Sequence, residues 1–248
     1  MKLLASLTIL ASLVFMGQAH AESEAQNCIS CSTSSTLLRS NVDSDAREIR
    51  NTVSRGNIPQ MVFDAMNSHP RDSKQFGNTC SKFSDGSSYG EWGATVVEEL
   101  RSGRTPELMR GAQDLKAICR GYEQMDQEGK EGLWVTVMAA MGFYEASCDE
   151  QPPLQQGPNG ILSGLMQLDK KIQAETCGHL AQTPREDKLR TQSGSYSIRC
   201  AMMMLNDQIG SGAGLFAADP YWQVIKNDGR QQGYLKIQDV IESYALCK

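Results

Sequence analysis

A mostly apolar stretch runs from Leu3 to Met16, behind Lys2 and ahead of Ala19-His20-Ala21. A positive start, a short apolar stretch and a small-x-small site read as a signal peptide, residues 1–21, cleaved after Ala21. The stretch is too short to span a membrane comfortably, and no cysteine follows it closely, so no membrane anchor is expected. Residues 22–36 are Ser-rich and polar, an arm pinned by its cysteines. Ser44 to Arg55 reads as a short helix ending at Gly56, and Pro59 can open a second one through Met66. From Asn67 to Gly93 the composition of Gly, Ser, Asn and Asp predicts loop.

The later periodicity is clearer. Thr105 is placed to cap a helix whose first residue is Pro106, with Glu107 in the first turn. Leu108, Ala112, Leu115, Cys119 and Tyr122 make one stripe along it. Gly129 to Gly132 then break the chain ahead of a strongly apolar helix from Leu133 to about Ala146. Two prolines and two glycines between Gln151 and Ser163 predict a turn or hairpin. Ile198, Ala201, Met202, Leu205 and Ile209 share a face of a helix from Ser197 to Ile209. Gly210 to Gly214 end it, and Pro220–Lys226 and Leu235–Cys247 are expected as helices. No internal repeat is visible. The pattern is that of a mostly α protein with little sheet.

Composition narrows the chemistry. The 248 residues are 40% apolar and 21% charged, with 24 Lys+Arg against 29 Asp+Glu. Removing residues 1–21 takes one of those basic residues, leaving 23 against 29 and a formal charge of −6. An acidic surface argues against nucleic acid as a partner. All eight cysteines lie beyond Ala21: Cys28, Cys31, Cys80, Cys119, Cys148, Cys177, Cys200 and Cys247. An even set in an exported chain reads as disulfides and a secreted or periplasmic location. Their pairing is open, since eight cysteines allow about 105 connectivities. Zinc is the competing reading. A single Cys28-x-x-Cys31 and only His69 and His179 besides argue against a metal site. A redox role for that pair would want a βαβ pattern, which is absent.

One residue sits on the wrong face of its helix. Trp134, Val137, Met138 and Met141 point the same way at about 100° per residue. Glu145 lands within about 20° of Trp134, inside the apolar stripe, where an ionised carboxylate is costly. Pro152 and Pro153 put it near the helix C-terminus, whose dipole disfavours a negative charge. Both effects raise its pKa, and a carboxyl kept protonated near neutrality can serve as a general acid. A buried glutamate paired with an arginine explains the same pattern.

Glu145-Ala146-Ser147 is followed, nineteen residues after the glutamate, by Gly164-Leu165-Met166-Gln167-Leu168. This resembles the lytic transglycosylase and goose-type lysozyme superfamily, where a helix ends in a catalytic glutamate and a Gly-Leu-Met-Gln turn follows. Gly157-Pro158-Asn159-Gly160 stands where that family has a glycine-containing hairpin. Ser197-Ile198-Arg199-Cys200-Ala201 looks like its Asn-Ile-x-x-Gly helix start. The likeness covers roughly residues 130–225. Ala146 separates Glu145 from Ser147, which are adjacent in the family, and Tyr221-Trp222 stands near the place of an absent Ala-Tyr-Asn-x-Gly motif. In texture the chain is most similar to the deacetylation-specific lysozymes of predatory bacteria.

The resemblance implies a mostly α, lysozyme-like helical domain at 126–248 with a small hairpin, stapled by disulfides. An N-terminal helical extension, 22–125, would pack on it. It also implies that Glu145 protonates the glycosidic oxygen of a β-1,4 bond in peptidoglycan glycan strands. Ser147, Met166, Gln167, Tyr196, Tyr221 and Trp222 become substrate-binding candidates. Ser147 could equally cap the helix, the Gly164–Leu168 turn could be plain structure, and Tyr221 and Trp222 could be core aromatics. Met202-Met203-Met204 reads as core packing.

A water-activating base would stand about 6.5–9.5 Å from the acid, and Asp149, Glu150 and Asp169 are the candidates. Lytic transglycosylases use one glutamate and the substrate's own acetamido group, so a deacetylated substrate points to hydrolysis by water. No cofactor is implied: Gly160–Gly164 has the wrong spacing for a nucleophile elbow. Gly210, Gly212 and Gly214 follow a helix rather than a strand, unlike a nucleotide loop. A monomer is expected. The competing readings are a lytic transglycosylase on acetylated wall, or a lysozyme-like module that binds wall without cutting it.

Overall fold

The computed structural model describes residues 57–68, 79–157, 160–180, 193–229 and 233–248. The expected signal peptide, the helix expected at 44–55, Cys28, Cys31 and His69 lie outside the described residues. In chain order the helices are α1 (Ile58–Met66), α2 (Glu91–Arg101), α3 (Pro106–Arg110), α4 (Gln113–Ile118) and α5 (Gln127–Ala146). A three-stranded antiparallel sheet follows: β1 (Gln155–Gly157), β2 (Gly160–Ser163) and β3 (Leu168–Asp169), in that order across the sheet. Helices α6 (Lys170–Cys177), α7 (Gly194–Gly210) and α8 (Gly233–Ser243) complete the chain.

Helix α5 is the axis of the core. Leu133 to Phe143 are all buried, whichever face they occupy, because α1, α2 and α8 pack around it. Its aromatic residues also meet their polar obligations: the Trp134 indole N–H donates to the Leu108 carbonyl at 2.7 Å. The Tyr244 hydroxyl donates to the Gly129 carbonyl at 3.1 Å. Elements on both sides of residue 126 share this core.

The expected break at Gly129–Gly132 is corrected. Asp126 caps the helix by accepting from the Gly129 N–H at 2.8 Å, and the glycines continue it. A Cβ at Gly132 would lie 2.4 Å from both Ile58 Cγ2 and the Tyr244 hydroxyl. These glycines admit neighbours and do not end the helix.

The single helix expected from Thr105 to Tyr122 is divided into α3 and α4. Gly111 turns the chain at φ 75°, and a Cβ there would meet the Tyr122 ring. The stripe residues Leu108, Ala112, Leu115, Cys119 and Tyr122 are buried all the same. Nor does the Thr105 hydroxyl cap α3; Asn206 of α7 accepts from the Glu107 N–H at 2.9 Å in its stead. Two other helices are shorter than the pattern predicted. Gln223–Ile225 is one 3₁₀ turn, and α8 stops at Ser243 before a 3₁₀ turn at Ala245–Cys247. Helices α2 and α6 were not expected, and Ser193, accepting from the Tyr196 N–H, starts α7 earlier than predicted.

Three disulfides lie among the described residues: Cys80–Cys148, Cys119–Cys247 and Cys177–Cys200. Six of the cysteines are therefore bridged rather than available to a metal, which fits an oxidising, extracytoplasmic compartment. No described helix is long and apolar enough to cross a membrane.

Candidate active site

Glu145 occupies the last turn of α5. The helix ends in two consecutive left-handed residues, Ser147 (φ 52°) and Cys148 (φ 56°). For residues with a Cβ this conformation costs about 1–2 kcal/mol each. Surrounding structure holds it: the Ser147 N–H donates to Phe143 O at 2.7 Å and the Cys148 N–H to Gly142 O at 3.0 Å. The bridge from Cys148 to Cys80 ties the same turn to the segment before α2. Ser147 is exposed and closes the helix through its backbone.

Beyond that turn Glu145 lines a cleft of about 260 Å³. Leu162 of the hairpin, Gln167 and Asp169 form one side, and the segment Asp219-Pro220-Tyr221-Trp222-Gln223 forms another. Burial pushes the Glu145 carboxyl up to about 7, against a smaller opposing pull from the Val224 backbone N–H that it accepts. Among the described residues no arginine partner enters this balance, and the buried glutamates that do hold arginines are Glu99 with Arg104 and Glu131 with Arg101.

The Gly164–Leu168 turn is held from three directions. Ser197 accepts from the Met166 N–H at 3.0 Å, and the Trp222 indole donates to the Met166 carbonyl at 2.8 Å. The Tyr221 hydroxyl accepts from the Asp169 N–H at 2.8 Å and lies 3.3 Å from the Gln167 carbonyl. Burial raises the Tyr221 pKa, so the hydroxyl keeps its proton as a donor. Gln167 itself is left-handed at φ 46°. Its side-chain N–H donates to Gly164 O at 3.1 Å, while Oε1 is buried with no hydrogen-bond partner among the described residues.

The residues singled out from sequence are therefore divided. Glu145, Gln167, Asp169, Tyr221 and Trp222 meet in one cleft. Asp169 is 1% exposed, and both of its oxygens are engaged: Oδ1 accepts from the Ile172 N–H, capping α6, and Oδ2 from Tyr221. Asp149 and Glu150 line a different groove, of about 580 Å³, with Lys82 and Trp92. That groove is larger, yet its Glu150 carboxylate is already engaged. Glu150 accepts from the Trp92 indole at 3.0 Å and the Gly194 N–H at 3.2 Å, and pairs with Lys82 at 3.1 Å. Tyr196 sits at the start of α7, its hydroxyl 3.4 Å from the Cys177 carbonyl. Asp219 and Gln223 are exposed cleft residues that no sequence motif marked.

No protein-family model and no curated protein matches the chain. Solved structures of DslA, a deacetylation-specific lysozyme of a predatory bacterium, do. Its wild-type form and one glutamate-to-glutamine mutant are 18% identical to this chain, and a second such mutant 17%. Each match has a TM-score of 0.53 and covers 64% of this chain and 91% of the other. At that identity the likeness is one of architecture, and it agrees with the glutamate and Gly-Leu-Met-Gln pattern: this chain has a lysozyme-like fold.

Proposed function

We propose that this protein is a secreted peptidoglycan glycoside hydrolase that cuts β-1,4 glycan bonds with Glu145 as general acid and favours N-deacetylated wall. The observation that carries the reading is a carboxyl at the end of the core helix, held neutral to about 7 by burial and opening on a cleft. In that state Glu145 gives its proton to the glycosidic oxygen as the bond to the sugar carbon breaks. The Val224 N–H then bonds the carboxylate left behind. Asp169, with a hydrogen bond on each oxygen, holds the Tyr221–Gln167 side of the cleft in place.

A sugar that has lost its acetyl group cannot supply an acetamido group to the reaction, so on that substrate water adds to the sugar carbon and its proton returns to the Glu145 carboxylate. One feature of the cleft supports the preference for such a substrate. Its exposed amine carries positive charge, which suits a cleft whose charged lining, among the described residues, is carboxylate. Zymography on acetylated and enzymatically deacetylated walls tests the reading. The wild type should clear the deacetylated wall best, and Glu145→Gln should clear neither. Binding to wall without clearing would leave a lysozyme-like binding module in its place.

A further inference from the structure

Among the described residues three carboxylates line the Glu145 cleft, Glu145, Asp169 and Asp219, and no lysine, arginine or histidine does. They are not equivalent. Glu145 is neutral up to about 7. Asp169 spends Oδ1 on the Ile172 N–H and Oδ2 on Tyr221. Asp219 is exposed and has no hydrogen-bond or ion-pair partner among the described residues. Gln167, which also lines the cleft, has its Oε1 buried without a hydrogen-bond partner among the described residues, on a side chain 2% exposed. A buried acceptor left without a donor costs about 1–3 kcal/mol, so a ligand that donates there recovers that loss.

A carboxylate and a lone acceptor ask for a ligand group that is cationic and rich in donors. A protonated amine has three N–H donors and no acceptor. An acetamido group has one donor and a carbonyl oxygen, which a carboxylate repels. A sugar hydroxyl could satisfy Gln167 but gives no use to the charge on Asp219.

We propose that Asp219, with Gln167 Oε1, forms an ammonium subsite that binds the 2-amino group of a deacetylated amino sugar and sets the specificity of the cleft. This rests on the reading of the cleft as a glycan site, but it is tested by binding alone. Isothermal titration of wild type and Asp219→Asn would use two probes, a glucosamine tetramer and its fully N-acetylated counterpart, in mildly acidic buffer at low and high salt.

The wild type should bind the glucosamine tetramer more tightly, and Asp219→Asn should weaken that binding about tenfold, as expected for one lost charge-assisted hydrogen bond. Affinity for the acetylated tetramer should stay the same, and high salt should narrow the difference. Because Asp219 is exposed and unpartnered, the melting temperature should not move. Equal loss for both probes, no loss for either, or no binding of the glucosamine tetramer by the wild type would each overturn the subsite. Absence of wall cleavage by a wild type that binds glucosamine selectively would count against Glu145 as acid and leave the subsite standing.

Discussion

Replacing Glu145 with glutamine should stabilise the fold, by an amount that grows with pH. The carboxyl, ordinarily ionised above 4.5, stays neutral up to about 7 in the folded protein. Below 4.5 it is neutral in both folded and unfolded chains, and its titration costs folding nothing. Between the two values the unfolded chain releases the proton and the folded one retains it, so rising pH favours unfolding. Above about 7 both have released it and the cost is constant. The interval from 4.5 to about 7, at about 1.4 kcal/mol per pH unit, sets this cost at about 3 kcal/mol. That figure is an upper one, because the side chain is not wholly enclosed and water offsets part of it.

Glutamine has nearly the same shape and still accepts from the Val224 N–H, so it removes the titration with little change in packing. Urea unfolding with the disulfides intact, across a pH series, measures the difference. The two proteins should match below 4.5, diverge as pH rises and differ by a constant amount above about 7. A difference that ignores pH, or a variant that becomes the less stable one as pH rises, would refute the burial argument.

Catalysis should follow the same group in the opposite sense: turnover on soluble glycan should fall as pH rises through about 7, where the acid is lost. Replacing both Cys80 and Cys148 with alanine should cost about 2–4 kcal/mol. It should also shift the alkaline limb of that profile to lower pH, since the turn that keeps Glu145 buried loses its tether. Gly132→Ala should destabilise by about 1–3 kcal/mol in thermal melts, because its Cβ has 2.4 Å to Tyr244 and Ile58. Thiol titration of the unfolded, unreduced protein should find two or fewer free cysteines, given six in bridges. Four or more would undo the case for an oxidising compartment.

Local order and chemistry were legible in the chain itself. Helical periodicity marked the core helix, its stripe around Trp134 and the face on which Glu145 falls, because side-chain direction in a helix follows from residue spacing alone. The even cysteine count indicated bridges for the same kind of reason, as thiols in an oxidising space pair. Which cysteine pairs with which was decided by tertiary structure, since Cys119 and Cys247 are 128 residues apart. So was the meaning of the glycines. Gly132 continues a helix because Tyr244 and Ile58 need its space, whereas Gly111 ends one because the chain there takes φ 75°.

The cleft is the clearest case. It joins the end of α5, the Gln167–Asp169 turn and the Asp219–Gln223 segment, and no local pattern relates positions so far apart. Sequence proximity made Asp149 and Glu150 look like neighbours of Glu145, yet the left-handed turn at Ser147 and Cys148 sends them to another groove. Asp219, 74 residues beyond Glu145, reaches the cleft because the Trp222 indole and the Tyr221 hydroxyl anchor its segment to the turn at Met166 and Asp169. The chain's own pattern singled out Glu145 as a carboxyl on an apolar helix; packing decided that it holds its proton near neutrality and which residues share its cleft, because both depend on contacts between segments distant in sequence.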